Sequence, residues 1–191
     1  MWASYTSCCA VPSAGTNSAL AVADGYALRP AAPDDAPALF RFGELLLAES
    51  SYFLRGPGER ARSVAEMRAI IDHFCAQPHY LLLSVWQGET AVGEAVVTAG
   101  EFQRNRFSAT IGVGVLQAHS GRGLGAALMR EMESFARGRR LRRLELTVMA
   151  PNARARALYE RMGYVEEGLK RDSMFVDGRF VDEVMMAKIL A

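Results

Sequence analysis

The stretch that most constrains this chain runs from Ser108 to Ala126, Ser-Ala-Thr-Ile-Gly-Val-Gly-Val-Leu-Gln-Ala-His-Ser-Gly-Arg-Gly-Leu-Gly-Ala. Its first half, with Thr110, Ile111, Val113 and Val115, reads as a buried strand. Its second half sets Gly121, Gly123 and Gly125 at every other position and then turns helical. A strand that passes through a glycine turn into a helix N-terminus makes a place to hold phosphate. Glycine lets the backbone come close to the anion, and first-turn N–H groups have no partner inside the helix. The same glycines would also permit close packing of the helix on a sheet. Nothing inside the stretch separates the two roles.

Composition narrows the setting. The 191 residues suffice for one hydrophobic core and are few for two. A formal net charge of +1 argues against a dedicated nucleic-acid binder, which carries a strong basic excess. No apolar run approaches the roughly 20 residues that a membrane span needs. Cys8, Cys9 and Cys75 form neither a disulfide framework nor a zinc pattern, so a reducing cytoplasm is the default expectation. Residues 1–24 carry no charge before Asp24 and are rich in Ser, Ala, Thr and Gly, which reads as a flexible tail. Ala-Val-Ala before Asp24 faintly resembles a signal-peptidase site, but a positive n-region and a continuous apolar h-region are both missing.

Residues 25–191 read as one domain. Tyr26-Ala-Leu-Arg is a short strand closed by Pro30, and Asp34 or Asp35 can cap a helix with Leu39, Phe40, Leu45, Leu46 and Leu47 facing inward. Ser63-Val-Ala-Glu is a capping box that opens a second helix, which Pro78 stops. Tyr80–Trp86, Ala91–Thr98 and Ser108–Leu116 form a meander, with a turn at Gly88-Glu89. After the glycines, Leu124, Leu128, Met132 and Phe135 fall on one helical stripe. A strand over Leu144–Met149, a helix from Ala153 to Met162 and a hairpin across Asp177-Gly178 complete the order β-α-α-β-β-β-α-β-α-β-β. This is an α/β domain with a mixed, mostly antiparallel sheet flanked by helices. The strands on either side of the glycine-loop helix are expected to be parallel neighbours.

These residues resemble the GNAT superfamily of N-acetyltransferases. The family's phosphate loop, Arg/Gln-x-x-Gly-x-Gly/Ala, lies over Ser120-Gly121-Arg122-Gly123-Leu124-Gly125. Downstream, Asn152-x-x-Ala155-x-x-Leu158-Tyr159-x-x-x-Gly163-Tyr164 is similar to Asn-x-x-Ala-x-x-Leu-Tyr-x-x-x-Gly-Phe. Ser120 departs from the pattern, which usually has Arg or Gln there. A narrower likeness, carried by Leu144-Glu-Leu-Thr-Val, Glu167-Gly168, Gly178, Val181-Asp182 and Met185 or Met186, points to the branch that acetylates free amino acids. Neighbouring branches acetylate the N-termini of proteins, ribosomal proteins among them, or polyamines.

The resemblance implies acetyl-CoA as cosubstrate and no metal. Gly121, Arg122, Gly123, Leu124, Gly125 and Ala126 would hold the pyrophosphate, and Ser120 could donate to it as well. Backbone groups of Val113, Gly114 and Val115 would pair with the pantetheine arm like an added strand, and a helical Asn152 would bond the same arm. Tyr159 would protonate the departing thiolate, since a phenol with a pKa of about 10 stays protonated at neutral pH. Relatives that acetylate protein N-termini carry a carboxylate where this chain has Thr147. Glu145, two residues earlier and on the same strand face, is the leading candidate base, Glu94 and Glu101 are lesser ones, and a water relay is the alternative.

Plainer readings stand beside these. Tyr159 also fits a core aromatic, and Tyr52 and Phe53 fit either core or an acceptor pocket. His119 is given no role. The arginines between Arg137 and Arg143 complement a helix C-terminus and a solvated turn, with the CoA 3′-phosphate as a further use. Met129, Met132 and Met162 are core fillers. The expectation is a direct acetyl transfer to the α-amino group of a small molecule such as a free amino acid. Protein N-termini and polyamines are the alternatives within the enzyme class. An inactive CoA-binding sensor is the alternative outside it. Relatives dimerise, some by exchanging C-terminal strands, and apolar Val184–Ala191 would allow a homodimer.

Overall fold

A computed structural model describes residues 20–23 and 25–191. The expected order of elements is present, preceded by one further strand. Leu20–Ala23 forms β1, an edge strand antiparallel to β2 (Tyr26–Pro30). The tail expected over residues 1–24 therefore gives its last residues to the sheet, and residues 1–19 lie outside the described residues.

Helix α1 (Ala36–Glu49) follows a short 3-10 turn at Pro33–Asp35. Asp35 does not cap it with its side chain. The carboxylate instead accepts the Ala32 N–H at 2.7 Å and two bonds from Arg29 at 2.6 and 2.7 Å, tying β2 to the helix start. Leu39, Leu46 and Leu47 face inward as expected, whereas Leu45 is half exposed and Phe42 takes the place in the core. In α2 (Val64–Ala76) the Ser63 hydroxyl accepts the Glu66 N–H at 3.1 Å. The reciprocal arm of the capping box reaches one residue further back, to the Arg62 N–H at 2.8 Å.

Strands β3 (Tyr80–Gln87), β4 (Thr90–Ala99) and β5 (Ser108–Val115) form the antiparallel meander. Helix α3 (Leu124–Gly138) crosses to β6 (Arg143–Met149), which lies parallel to β5 as expected. Helix α4 (Ala153–Arg161) leads to β7 (Val165–Val176) and β8 (Arg179–Ile189), and the eight strands lie in the order β1-β2-β3-β4-β5-β6-β8-β7. Asp177 and Gly178, with φ of 50° and 77°, make the left-handed turn of the last hairpin.

The sheet separates two cores. Leu83, Val97, Leu144, Leu146 and Met186 pack against Leu128, Met129, Met132 and Phe135 of α3 and Tyr159 of α4. On the other face, Leu82 and Trp86 pack against Leu39, Phe42 and Leu46 of α1 and Met67 and Ile71 of α2. Each fully buried aliphatic or methionine side chain contributes roughly 1.5–3 kcal/mol, so the stripe along α3 alone anchors that helix to the sheet. Met162 packs at the margin of the first core, so the three methionines are fillers, as expected.

The two parallel strands do not stay together. β5 and β6 pair only at Ser108–Arg143, Ala109–Leu144 and Thr110–Glu145, whereas β5 pairs with β4 along its whole length to Val115. Beyond Thr110 the strands splay, and the sheet opens beside the glycine loop.

Candidate active site

Two sequence devices meet at this opening. The first is the loop. Gly121 and Gly123 adopt φ of 77° and 78°, and a Cβ on either would meet nothing within 4 Å. Backbone conformation, not space, requires glycine at both positions. Gly123 is the N-cap of α3 and supplies no side-chain cap, and the first turn holds no acidic residue. The leading N–H groups of a 15-residue helix are thus left for an anion, with the helix dipole behind them.

Gly125 has the plainer role. A Cβ there would lie 3.0 Å from Leu158 Cδ2, so this glycine lets α3 approach α4 and joins the two halves of the sequence pattern. Leu124 is buried beneath the loop, Ala126 is half-buried, and Arg122 is exposed. Ser120 ends a 3-10 turn at Gln117–His119, and its hydroxyl donates to the Leu116 carbonyl at 3.3 Å. That bond turns its side chain back into the chain, away from the donor role expected for it.

The second device is the strand edge. Past Thr110, β5 has no partner on its β6 side among the described residues, so alternate N–H and C=O groups near Val113, Gly114 and Val115 can pair with an extended ligand. Val113 and Val115 are half-buried against the α3-side core. Gly114 faces α1, where a Cβ would come within 2.6 Å of Leu46 Cδ2 and 3.3 Å of Phe53 Cζ. Phe53 packs partly buried against the α1-side core, while Tyr52 is exposed.

Asn152 stands at the N-cap of α4, not inside the helix. Its Oδ1 accepts the Ala155 N–H at 3.1 Å, and its amide nitrogen remains to donate elsewhere. Tyr159, 8% exposed, belongs to the first core, with its ring 6.1 Å from that of Tyr164. Burial pushes its phenol up to about 12.

The three candidate carboxylates each have a partner. Arg143 bonds Glu145 at 2.6 Å and Glu167 at 2.8 Å, and Glu145 lies at the last β5–β6 pair, where the splay begins. Thr147 is exposed on the same face of β6. Glu94, opposite Gly114 on β4, is ion-paired with Arg60; burial pushes its carboxyl up against the pull of that guanidinium. Glu101 accepts the Tyr80 hydroxyl at 2.8 Å. Each of the three thus has a side-chain partner in this structure.

Two arginines of the run hold the last residues of the chain. Arg137 and Arg142 donate to the carbonyls of Ala191 and Leu190, at the end of α3 remote from the loop. Sequence reasoning placed Tyr26 in a strand but gave it no role at the site, and its hydroxyl lies 2.9 Å from His119 Nδ1. The two are 93 positions apart, so no local spacing announces the contact.

A glycine cradle at a helix N-terminus, a splayed parallel pair beside it and a capping asparagine with a buried tyrosine one helix further on make up the candidate site. Residues 46–164 match the model of the acetyltransferase (GNAT) family, more than half of the chain, and the protein belongs to that family. It is 33% identical over 99 residues to an L-amino acid N-acetyltransferase of Escherichia coli, across 51% of this chain and 61% of that relative. The chain thus aligns with less than two thirds of that protein's length. An N-alpha-acetyltransferase of Mycobacterium tuberculosis, RimI, is 35% identical over 111 residues, across 58% of this chain and 68% of the relative. Among solved structures, yncA of Salmonella typhimurium, determined with its cofactor acetyl-CoA, shares the fold, with a TM-score of 0.78 at 19% identity over 87% of this chain and 95% of that one.

Proposed function

We propose that this protein transfers an acetyl group from acetyl-CoA to a primary amine by direct attack, and that the acceptor is the α-amino group of a free amino acid or similar small molecule. The observation that carries the reading is the splay of β5 and β6 immediately before the bare N-terminus of α3. The residues fit the cosubstrate: left-handed glycines clear the loop, and no acid in the first turn repels phosphate. When bound, acetyl-CoA supplies the activated thioester.

The chain's own groups do the rest. Gly121–Ala126 hold the diphosphate, and the open edge of β5 with the Asn152 amide aligns the extended arm. A backbone N–H near Gly114 stabilises charge developing on the carbonyl oxygen, an effect worth about 3 kcal/mol per donor elsewhere. As the amine nitrogen bonds to the acetyl carbon and the carbon–sulfur bond breaks, the Tyr159 hydroxyl donates to the leaving sulfur. Its proton passes to the thiolate, and the phenol is restored by the second proton, which the nitrogen loses as the amide forms and water carries back. The proton of the acceptor ammonium leaves through water, because Glu145, Glu94 and Glu101 are already engaged.

The likeness to an L-amino acid N-acetyltransferase favours the small acceptor, and the likeness to RimI keeps a protein N-terminus as the second reading. Ranking kcat/KM over free amino acids, short peptides and polyamines tests the choice. Free amino acids are expected to lead by at least about tenfold, a difference near 1.4 kcal/mol in transition-state binding; peptides in the lead would replace this reading with the second. Cofactor binding with no turnover on any amine would favour a CoA sensor.

A further inference from the structure

Ser120 stands where the phosphate-loop pattern usually has Arg or Gln, and its hydroxyl is turned back onto the Leu116 carbonyl. The side chain that would reach the anion is missing, and its replacement is engaged. Two other side chains flank Gly121, and one residue gathers both. Tyr26 of β2, only 5% exposed, places its hydroxyl 2.9 Å from His119 Nδ1, with the rings edge to face at 5.8 Å. The Arg122 guanidinium stands 5.9 Å from the centroid of the same ring. No Asp or Glu occurs between Glu101 and Glu131, so the segment offers no charge that would repel an anion.

We propose that Tyr26, His119 and Arg122 form an anion-binding cluster that takes the cofactor diphosphate in place of the absent motif side chain. The proposal rests on the acetyl-CoA reading above. In the tautomer where the Tyr26 hydroxyl donates to Nδ1, the imidazole proton lies on Nε2 and can be given to an anion. Arg122 supplies the positive charge, held over the ring by a cation–π contact. Tyr26 is a positioning residue, which acts through His119 and Arg122. It also lies outside the segment 46–164 that matches the family, so in this proposal β2 contributes a positioning residue from outside that segment.

The experiment is calorimetric titration of wild type, His119→Ala and Tyr26→Phe with CoA, dephospho-CoA and acetylated pantetheine, which lacks the diphosphate. His119→Ala is expected to weaken CoA binding about tenfold, as befits one charge-assisted hydrogen bond, and Tyr26→Phe to weaken it by a smaller factor. Dephospho-CoA is expected to show the same losses, and acetylated pantetheine none. Wild-type CoA affinity in both variants overturns the cluster. So does an equal loss with acetylated pantetheine, which would mark a merely structural role, or a loss that vanishes with dephospho-CoA, which would place the contact on the 3′-phosphate. A wild-type chain that binds no CoA overturns the function proposed above, whereas wild-type binding with unaltered variants overturns the cluster alone.

Discussion

Tyr159 carries two consequences of one cause. Burial pushes its phenol up to about 12, which keeps it protonated throughout the physiological range. It also makes the group a reluctant proton donor, so hydrogen bonding to the leaving sulfur precedes transfer. Tyr159→Phe should leave acetyl-CoA affinity within about twofold and lower kcat on the order of a hundredfold, the usual scale for a lost general acid. Steady-state kinetics beside direct titration checks both. The sign of the shift adds a pH expectation: the acid form persists above pH 10, so any loss of rate between about pH 8 and 10 must come from another group. Glu145 leads to the opposite expectation. Its carboxylate is shared with Arg143 and stands at the closed end of the splay, so Glu145→Gln should change turnover by less than about threefold, with no selective loss at low pH. A steep loss at low pH would restore it as the base. Both residues were visible in the sequence as candidates, but the ion pair was not. Arg143 is only two positions from Glu145, and Glu167 arrives from a strand whose placement depends on the whole sheet.

Among the elements, α3 and its loop were the most legible. A glycine at every second position and an apolar stripe at helical spacing are local signals, and Leu124, Leu128, Met132 and Phe135 are buried as that stripe requires. The division of labour among the glycines was not legible, because it depends on what stands opposite each one. Gly123 is required by its left-handed backbone, whereas Gly125 is required by Leu158 at 3.0 Å. Gly125→Val should therefore push α3 away from α4 and destabilise the fold by about 1–3 kcal/mol, read from the urea midpoint. Strand β2 and helix α1 are joined by an equally concealed device. Burial alone would raise the Asp35 carboxyl, but Arg29 and the Ala32 N–H outweigh it and hold the group below the ordinary carboxylate range. The folded chain thus keeps Asp35 ionised at a pH where the unfolded chain protonates it. Its contribution is complete above about pH 4 and is lost as pH falls through the lower folded value. Asp35→Asn should narrow the stability difference between neutral pH and about pH 3, measured by urea unfolding.

For the whole molecule, the crossover rule foretold that β5 and β6 run parallel, since a helix joins them. The turn signals foretold the antiparallel meander β3–β4–β5 and the hairpin β7–β8, but not the pairing of β2 with β3 or of β6 with β8. The splay itself has no sequence signature. It arises because β5 follows β4 to Val115 while β6 follows β8 to Met149, and the two pairs diverge once their shared register ends at Thr110 and Glu145. Strand β1 escaped notice for a similar reason, since Leu20–Ala23 is too short to show a period and is recognised only by its partner. The opening that results is the centre of the functional account: it joins an anion cradle to a strand edge able to align an extended thioester arm. The most direct measurement is release of free thiol from acetyl-CoA with and without an added amino acid. The account predicts release that depends on the amine, saturates with it and yields the N-acetylated product in equal amount. Acetyl-CoA binding without amine-dependent release, over a panel that includes peptides and polyamines, would contradict it.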